Sequence, residues 1–225
     1  MLWSPNCRLL YPFENQANDY SGNARHGTVS GSGVYATKPN GGRCLYFDGT
    51  GDYVATPSFG LSGTVVVFAC WTRCLLNAGV QQTILADGWD SSTDGFLRLI
   101  RGTGSNALTW YYADGVGQRT LSAPNYFAAP FNDAWLYLTL VCDYTGKTTY
   151  VYRNGQLFYT SGTMTGTPVS PSGVRAKYLG SRVTGLLLTD GYLANVQLWT
   201  LATMPAAGQM LANVNRLMLG MNPIW

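Results

Sequence analysis

Apolar and polar positions alternate along this chain over short distances, and Asp, Asn, Ser and Gly punctuate the runs. Leu9–Phe13, Cys44–Phe47 and Asp52–Thr56 are brief apolar stretches bounded by such turn formers. Thr64–Thr72 (TVVVFACWT) and Trp135–Cys142 (WLYLTLVC) are continuous, β-branched or aromatic runs, the pattern of strands buried on both faces. Thr83–Ala86, Phe96–Arg101, Ala107–Tyr112, Thr148–Arg153, Gln156–Thr160, Lys177–Leu179 and Gly191–Trp199 complete the series. Asn154-Gly155 lies between two of them and predicts a type I′ hairpin. Strands at this spacing, with no helical pattern alternating between them, predict a sandwich or barrel rather than a parallel sheet. One short helix is predicted after Trp199. Pro205 suits an early helical position, and Met210, Leu211, Val214 and Leu217 recur at helical spacing. Residues 217–225 form an apolar tail, and the Gly/Thr/Ser/Pro-rich stretch Ser161–Val174 reads as a long loop. No repeat or composition break interrupts the chain, so residues 1–225 read as one domain.

Composition narrows the function classes. Only 11% of residues are charged, about half the usual share, so the surface must be polar through Ser, Thr, Asn, Gln, Gly and Tyr. That suits sugar-facing contacts or burial in an assembly. The net charge is +3 and the arginines are scattered, which excludes the concentrated basic face that nucleic acid requires. The longest apolar run, Val65–Trp71, is too short to span a membrane. The first fifteen residues hold Pro5, Arg8, Pro12 and Glu14 and lack the apolar stretch of a signal peptide. The five cysteines (Cys7, Cys44, Cys70, Cys74, Cys142) are odd in number and form no C-x-x-C pair. They read as reduced, structural thiols of a protein made in a cytoplasm.

Three phrases carry a family likeness. Tyr11-Pro12-Phe13-Glu14-Asn15 runs on to Asn18-Asp19-Tyr20-Ser21-Gly22-Asn23-Ala24-Arg25-His26-Gly27. Leu45-Tyr46-Phe47-Asp48-Gly49-Thr50-Gly51-Asp52-Tyr53-Val54 follows, and the third is Asp190-Gly191-Tyr192-Leu193-Ala194-Asn195-Val196-Gln197-Leu198-Trp199-Thr200-Leu201-Ala202. In this order they resemble the opening and closing of LamG-like domains in the concanavalin A-like lectin/glucanase superfamily, over about residues 9 to 215. The resemblance implies an all-β, antiparallel jelly-roll β-sandwich with a short C-terminal helix and with its first and last strands close together. It leaves binding, catalysis and scaffolding open, because one fold hosts all three.

Catalysis has little to work with. Glycoside hydrolysis needs two facing carboxyl groups, yet the two central strands carry none and Glu14 is the only glutamate. His26, the only histidine, lies in a turn, and no Gly-x-Ser-x-Gly elbow occurs. Gly31-Ser32-Gly33-Val34-Tyr35-Ala36 fits a dinucleotide fingerprint in letters only, since it runs into Thr-Lys-Pro-Asn-Gly-Gly rather than a helix. A non-catalytic protein is therefore expected. Trp89, flanked by Asp87, Asp90 and Asp94, is the candidate glycan contact; Trp110, Tyr111 and Tyr112 form a second aromatic group.

The resemblance also implies calcium as a candidate cofactor. Asp19, Asn23 and Asp190 would be ligands, with Asp48 and Asp52 as further contributors, although Ala194 stands where relatives carry an acidic residue. Some LamG-like phage virion proteins have ends similar to Asn222-Pro223-Ile224-Trp225. The expectation is a virion component, a head decoration or tail appendage assembled in the host cytoplasm. Leu2, Trp3, Met221, Ile224 and Trp225 would dock it to other virion proteins or to its own copies, and surface glycans are a further partner. A stand-alone carbohydrate-binding module is the alternative reading; a glycoside hydrolase is a third.

Overall fold

A computed structural model describes residues 4–39, 41–75, 81–87, 95, 97–102, 105–182 and 189–224. Leu2, Trp3, Trp89, Asp90, Asp94 and Trp225 lie outside the described residues. The elements run in the order β1 (Cys7–Tyr11), β2 (Thr28–Ser30), β3 (Val34–Thr37), β4 (Arg43–Asp48), β5 (Tyr53–Ala55), β6 (Val65–Cys74), β7 (Gln82–Asp87) and β8 (Leu97–Arg101). They continue with β9 (Leu108–Ala113), β10 (Gln118–Ala123), β11 (Leu136–Asp143), β12 (Thr148–Arg153), β13 (Gln156–Thr160), β14 (Lys177–Leu179), β15 (Asp190–Leu201) and α1 (Ala207–Met218).

Two antiparallel sheets form a sandwich. The eight-stranded sheet has the order β13-β12-β11-β6-β15-β4-β3, with β1 added against β15. The seven-stranded sheet has the order β10-β9-β8-β7-β14-β5-β2. The expected jelly-roll sandwich is thus observed, with the first strand paired to the last: Leu10 faces Gln197 and Tyr11 faces Val196. The two central strands also lie side by side, Val67 facing Val141. Asn154 and Gly155 both adopt positive φ, 51° and 79°, as a type I′ turn between β12 and β13 requires.

Two cores explain why β6 is apolar on both faces. Val66, Phe68 and Cys70 point between the sheets, where they meet Leu9, Phe47 and Leu99. Val65, Val67 and Ala69 point outward and meet Trp199 and the helix residues Met210, Val214 and Leu217. Burying each of those three helix side chains is worth roughly 1.5–3 kcal/mol, enough to hold a 12-residue helix that would be marginal alone. The helix ends as Gly220, at φ 70°, donates its N–H to Leu217 O. The chain then folds back along α1. Asn213, nearly fully buried, accepts from Ile224 N and donates to Ile224 O, while Arg216 Nε donates to Asn222 O. The backbone of the tail is therefore clamped, while the side chains of Leu219, Met221 and Ile224 stay exposed.

Candidate functional site

The Asp-rich turns hold the chain together through hydrogen bonds. Asp19 Oδ1 accepts from Leu10 N (3.0 Å) and Ser21 N (2.9 Å); Oδ2 accepts from Ser21 Oγ and Arg25 N, both at 2.9 Å. Asn23 Nδ2 donates to Cys7 O at 2.8 Å, and His26 Nδ1 accepts from Asp19 N. Asp52 accepts from Ser32 N, Gly33 N and Asp48 N. Asp190 starts β15, seven residues from Gln197, the residue that faces Leu10 beside Asp19. At about 3.3 Å per residue that is roughly 20 Å, so Asp190 does not share a site with Asp19 and Asn23. Among the described residues no group of three or more His, Cys, Asp or Glu side chains is placed to hold a metal ion.

Asp87 closes β7 and points into the sandwich. It pairs with Lys177 of β14 at 2.6 Å, both side chains fully buried. Lys177 Nζ also donates to the carbonyls of Phe59 and Arg175. Burial, partly offset by Lys177, raises the Asp87 pKa to about 6. This carboxylate is spent inside the sandwich rather than offered to a ligand. Trp110 and Tyr112 are core residues, while half-buried Tyr111 lies beneath the Arg98 guanidinium at 3.9 Å.

A half-buried aromatic surface lies elsewhere, on the outer face of the eight-stranded sheet beside α1. Register sets one row across it. Tyr46 of β4 faces Tyr192 of β15, which faces Arg73 of β6. Trp135, just before β11, completes the row with its ring 5.7 Å from Tyr192; Tyr46 and Tyr192 are 4.8 Å apart. One step along, Trp71 faces Tyr137, their rings 5.2 Å apart in an edge-on contact. Trp71, Trp135, Tyr46 and Tyr192 are all half-buried. Arg73 forms a two-point ion pair with Asp133, Nε to Oδ1 at 3.1 Å. Asp190 stands beside Tyr46. Burial raises its pKa, the Tyr46 hydroxyl draws it back, and Asp48 and Asp133 push it up again.

Two hollows flank Trp71. One, of about 230 Å³, is lined by Lys38, Pro39, Trp71 and Trp135. The other, of about 460 Å³, is bordered by Glu14, Lys38, Arg43, Trp71, Asn195 and Gly220. They share Lys38 and Trp71, with Lys38 Nζ 5.7 Å above the Trp71 ring. Asn195 reaches the second hollow from a bulge in the β15–β6 ladder, at φ 48°, a local kink of the kind that re-aims a side chain. Among the described residues bordering this hollow, Glu14 is the only carboxylate. Hydrolysis would require a second.

Sequence reasoning treats Trp71 and Trp135 as core, because both belong to continuous apolar runs. A signal was present: Arg73, two residues after Trp71 and so on the same face, marks where that face opens to water.

Residues 48–207 match the Laminin_G_3 family of the concanavalin A-like lectin/glucanases superfamily. The chain belongs to this superfamily. Solved structures share the lectin-like fold at low identity. The botulinum neurotoxin serotype D ligand-binding domain, in complex with N-acetylneuraminic acid, superposes with a TM-score of 0.71 at 14% identity. That likeness covers 96% of this chain and 51% of that one. The binding domain of Paraclostridial Mosquitocidal Protein 1 gives 0.70 at 13% identity, covering 94% of this chain and 51% of that one. This lectin-like chain thus spans about half the length of those domains. No curated protein sequence matches it.

Proposed function

We propose that this chain is a non-catalytic recognition module that binds glycan on the outer face of its eight-stranded sheet. The observation that carries the reading is the pair Trp71 and Trp135, half-buried and flanking one hollow. The Trp71 ring meets Tyr137 edge-on and the Trp135 ring meets Tyr192 in a tilted contact. Rigid aromatic faces with polar groups at their rim offer large contact area at little entropic cost, as sugar rings need. The solved neighbours lend support, since one is a ligand-binding domain holding N-acetylneuraminic acid and another a toxin's binding domain.

The test is a glycan array with the purified chain and with Trp71→Ala and Trp135→Ala. Central aromatic contacts are worth about 2 kcal/mol or more, roughly thirtyfold in affinity, so each variant is expected to lose most binding. An array without hits, or unchanged binding by both variants, sinks the reading.

The setting we favour is a phage virion, where the module would serve as a head decoration or tail appendage. Five free, buried cysteines suit a chain folded in a reducing compartment. Met221 and Ile224, exposed on a clamped tail, offer apolar contacts to other virion proteins or to a second copy. Virions purified from a lysate of cells expressing the chain should carry it; a chain left wholly in the soluble fraction refutes this setting.

A further inference from the structure

We infer that α1 and its two flanks form the contact face between two copies of this chain, paired about a twofold axis with their helices antiparallel. The inference goes beyond the glycan-binding reading and does not depend on it.

The helix carries two apolar stripes where a surface helix needs one. Met210, Val214 and Leu217 face the sheet. Gly208, Leu211, Ala212 and Leu219 recur at helical spacing on the far side, and all four are exposed. Arg216 is the only charged residue of α1, and its Nε is held by Asn222 O.

The flanks continue this apolar surface. On one side a groove of about 360 Å³ lies between the helix and the β12–β13 hairpin, lined by Tyr150, Tyr152, Leu157, Met204, Pro205 and Leu211. Further along α1 the hairpin tip meets the helix, since a side chain at Gly155 would run into the Asn215 amide. On the other side lie Met221 and Ile224, on the tail clamped by Asn213. Among the described residues nine large apolar side chains are exposed, and five of them (Leu157, Leu211, Leu219, Met221 and Ile224) lie on or beside α1. Such residues are ordinary when scattered, and mark an interaction face when gathered.

Charge and area assign the face to a second copy. In a twofold contact the same patch meets itself, so a charge near the axis would face its own like. The exposed stripe and the groove lining contain no Lys, Arg, Asp or Glu. Glu14, Lys38 and Arg43 border Leu219 and Gly220 at one end of the face, as a polar rim borders an apolar centre. An axis perpendicular to α1 also reverses the helix direction, which sets the positive end of each macrodipole beside the negative end of the other. With the axis at Ala212, Leu219 falls opposite Pro205 of the partner subunit, so the most exposed leucine of the face, at 70%, enters the groove. Gly208, without a side chain, lets the second backbone come close. The twelve residues of α1 span about 18 Å. With a flank on each side the face is roughly 30 Å wide, a footprint of about 550 Å² per copy. Two such footprints approach the roughly 1,200 Å² at which specific interfaces begin, the size of a reversible, micromolar dimer.

Sedimentation equilibrium from about 1 to 200 μM tests the inference. The wild type is expected to pass from the mass of one chain to that of two, with a Kd of roughly 1–100 μM. Gly208 is exposed with open space around it, so Gly208→Gln should hold or raise the melting temperature of the dilute chain. The same variant should raise Kd at least about thirtyfold, as at a central interface position. Leu211→Lys should do likewise with unchanged melting. A wild type that stays a single chain throughout, or either variant dimerising as the wild type does, overturns the inference. A chain that is single in solution yet carried on virions, and no longer carried as Gly208→Gln, assigns the face to a virion protein and overturns it too. Neither position borders the hollows around Trp71, so each of these failures leaves the glycan reading standing.

Discussion

Removing one member of the buried Lys177–Asp87 pair should damage the fold in a pH-dependent way. Lys177→Met leaves Asp87 with only the weaker field of Arg175 and the Phe59 carbonyl without its lysine donor; Arg175 O keeps the N–H of Phe59. Breaking such a pair costs about 3–5 kcal/mol, a large part of the 5–15 kcal/mol that typically holds a domain together. In the wild type the folded Asp87 pKa is about 6, above the ordinary value of about 3.9. A raised carboxylate pKa means the folded state binds the proton more tightly. The contribution of Asp87 is therefore full below about pH 4 and is lost as pH rises through its folded pKa. Without Lys177 that pKa moves higher still, so the deficit of Lys177→Met should be greatest at pH 8. It should shrink by up to about 1.4 kcal/mol per pH unit as the pH falls. Urea unfolding followed by tryptophan fluorescence at pH 5, 6.5 and 8 measures this. The double variant Asp87→Asn/Lys177→Met should recover part of the loss, leaving about 1–3 kcal/mol for the orphaned carbonyl. Equal losses at pH 5 and pH 8, or a double variant no better than the single one, would refute the reasoning.

Three further outcomes follow from the turns and the tail. Asp19→Ala removes the acceptor of Leu10 N, Ser21 N and Arg25 N and should cost about 2–4 kcal/mol in urea unfolding. Because that carboxylate is satisfied by protein donors, neither chelator nor added calcium should move the melting temperature; a rise with calcium would contradict this account. Asn213→Ala should release the backbone at Ile224, cost about 1–3 kcal/mol and expose residues 219–225 to limited proteolysis; resistance equal to the wild type would count against the clamp.

The sandwich was legible because its central strands are. Val65–Cys74 and Leu136–Asp143 are buried along most of their length, so their apolar runs survive in the sequence. The strands β2, β3 and β10 carry no such mark. All three are sheet edges, half in water, and short polar segments such as Gln118–Ala123 pair without needing an apolar run. The helix was visible from Met210, Val214 and Leu217, whereas Leu211, in the same apolar set, faces solvent. The site was harder to see. Asp19 and Asp87 have the composition of ligand residues, yet one is used by its own turn and the other by a lysine 90 positions away. The larger hollow beside Trp71 gathers Glu14, Lys38, Trp71 and Asn195 from four separate stretches, and only strand register brings them together.

The position of β15 bears on how the chain can be made. It is the last strand in sequence but lies inside its sheet, with β6 along one edge and β4 and then β1 along the other. A ribosome that has released the first 189 residues has delivered β1, β4 and β6 without the strand that joins them. Until then, among the described strands, β1 has no strand to pair with and β6 offers a bare, apolar edge. Pairings of such long sequence separation close late and slowly. The nascent chain must therefore wait with open edges, the state most exposed to mispairing with its neighbours on the polysome. Fusion or truncation that delays or removes residues 190–201 should cost solubility before it costs anything else.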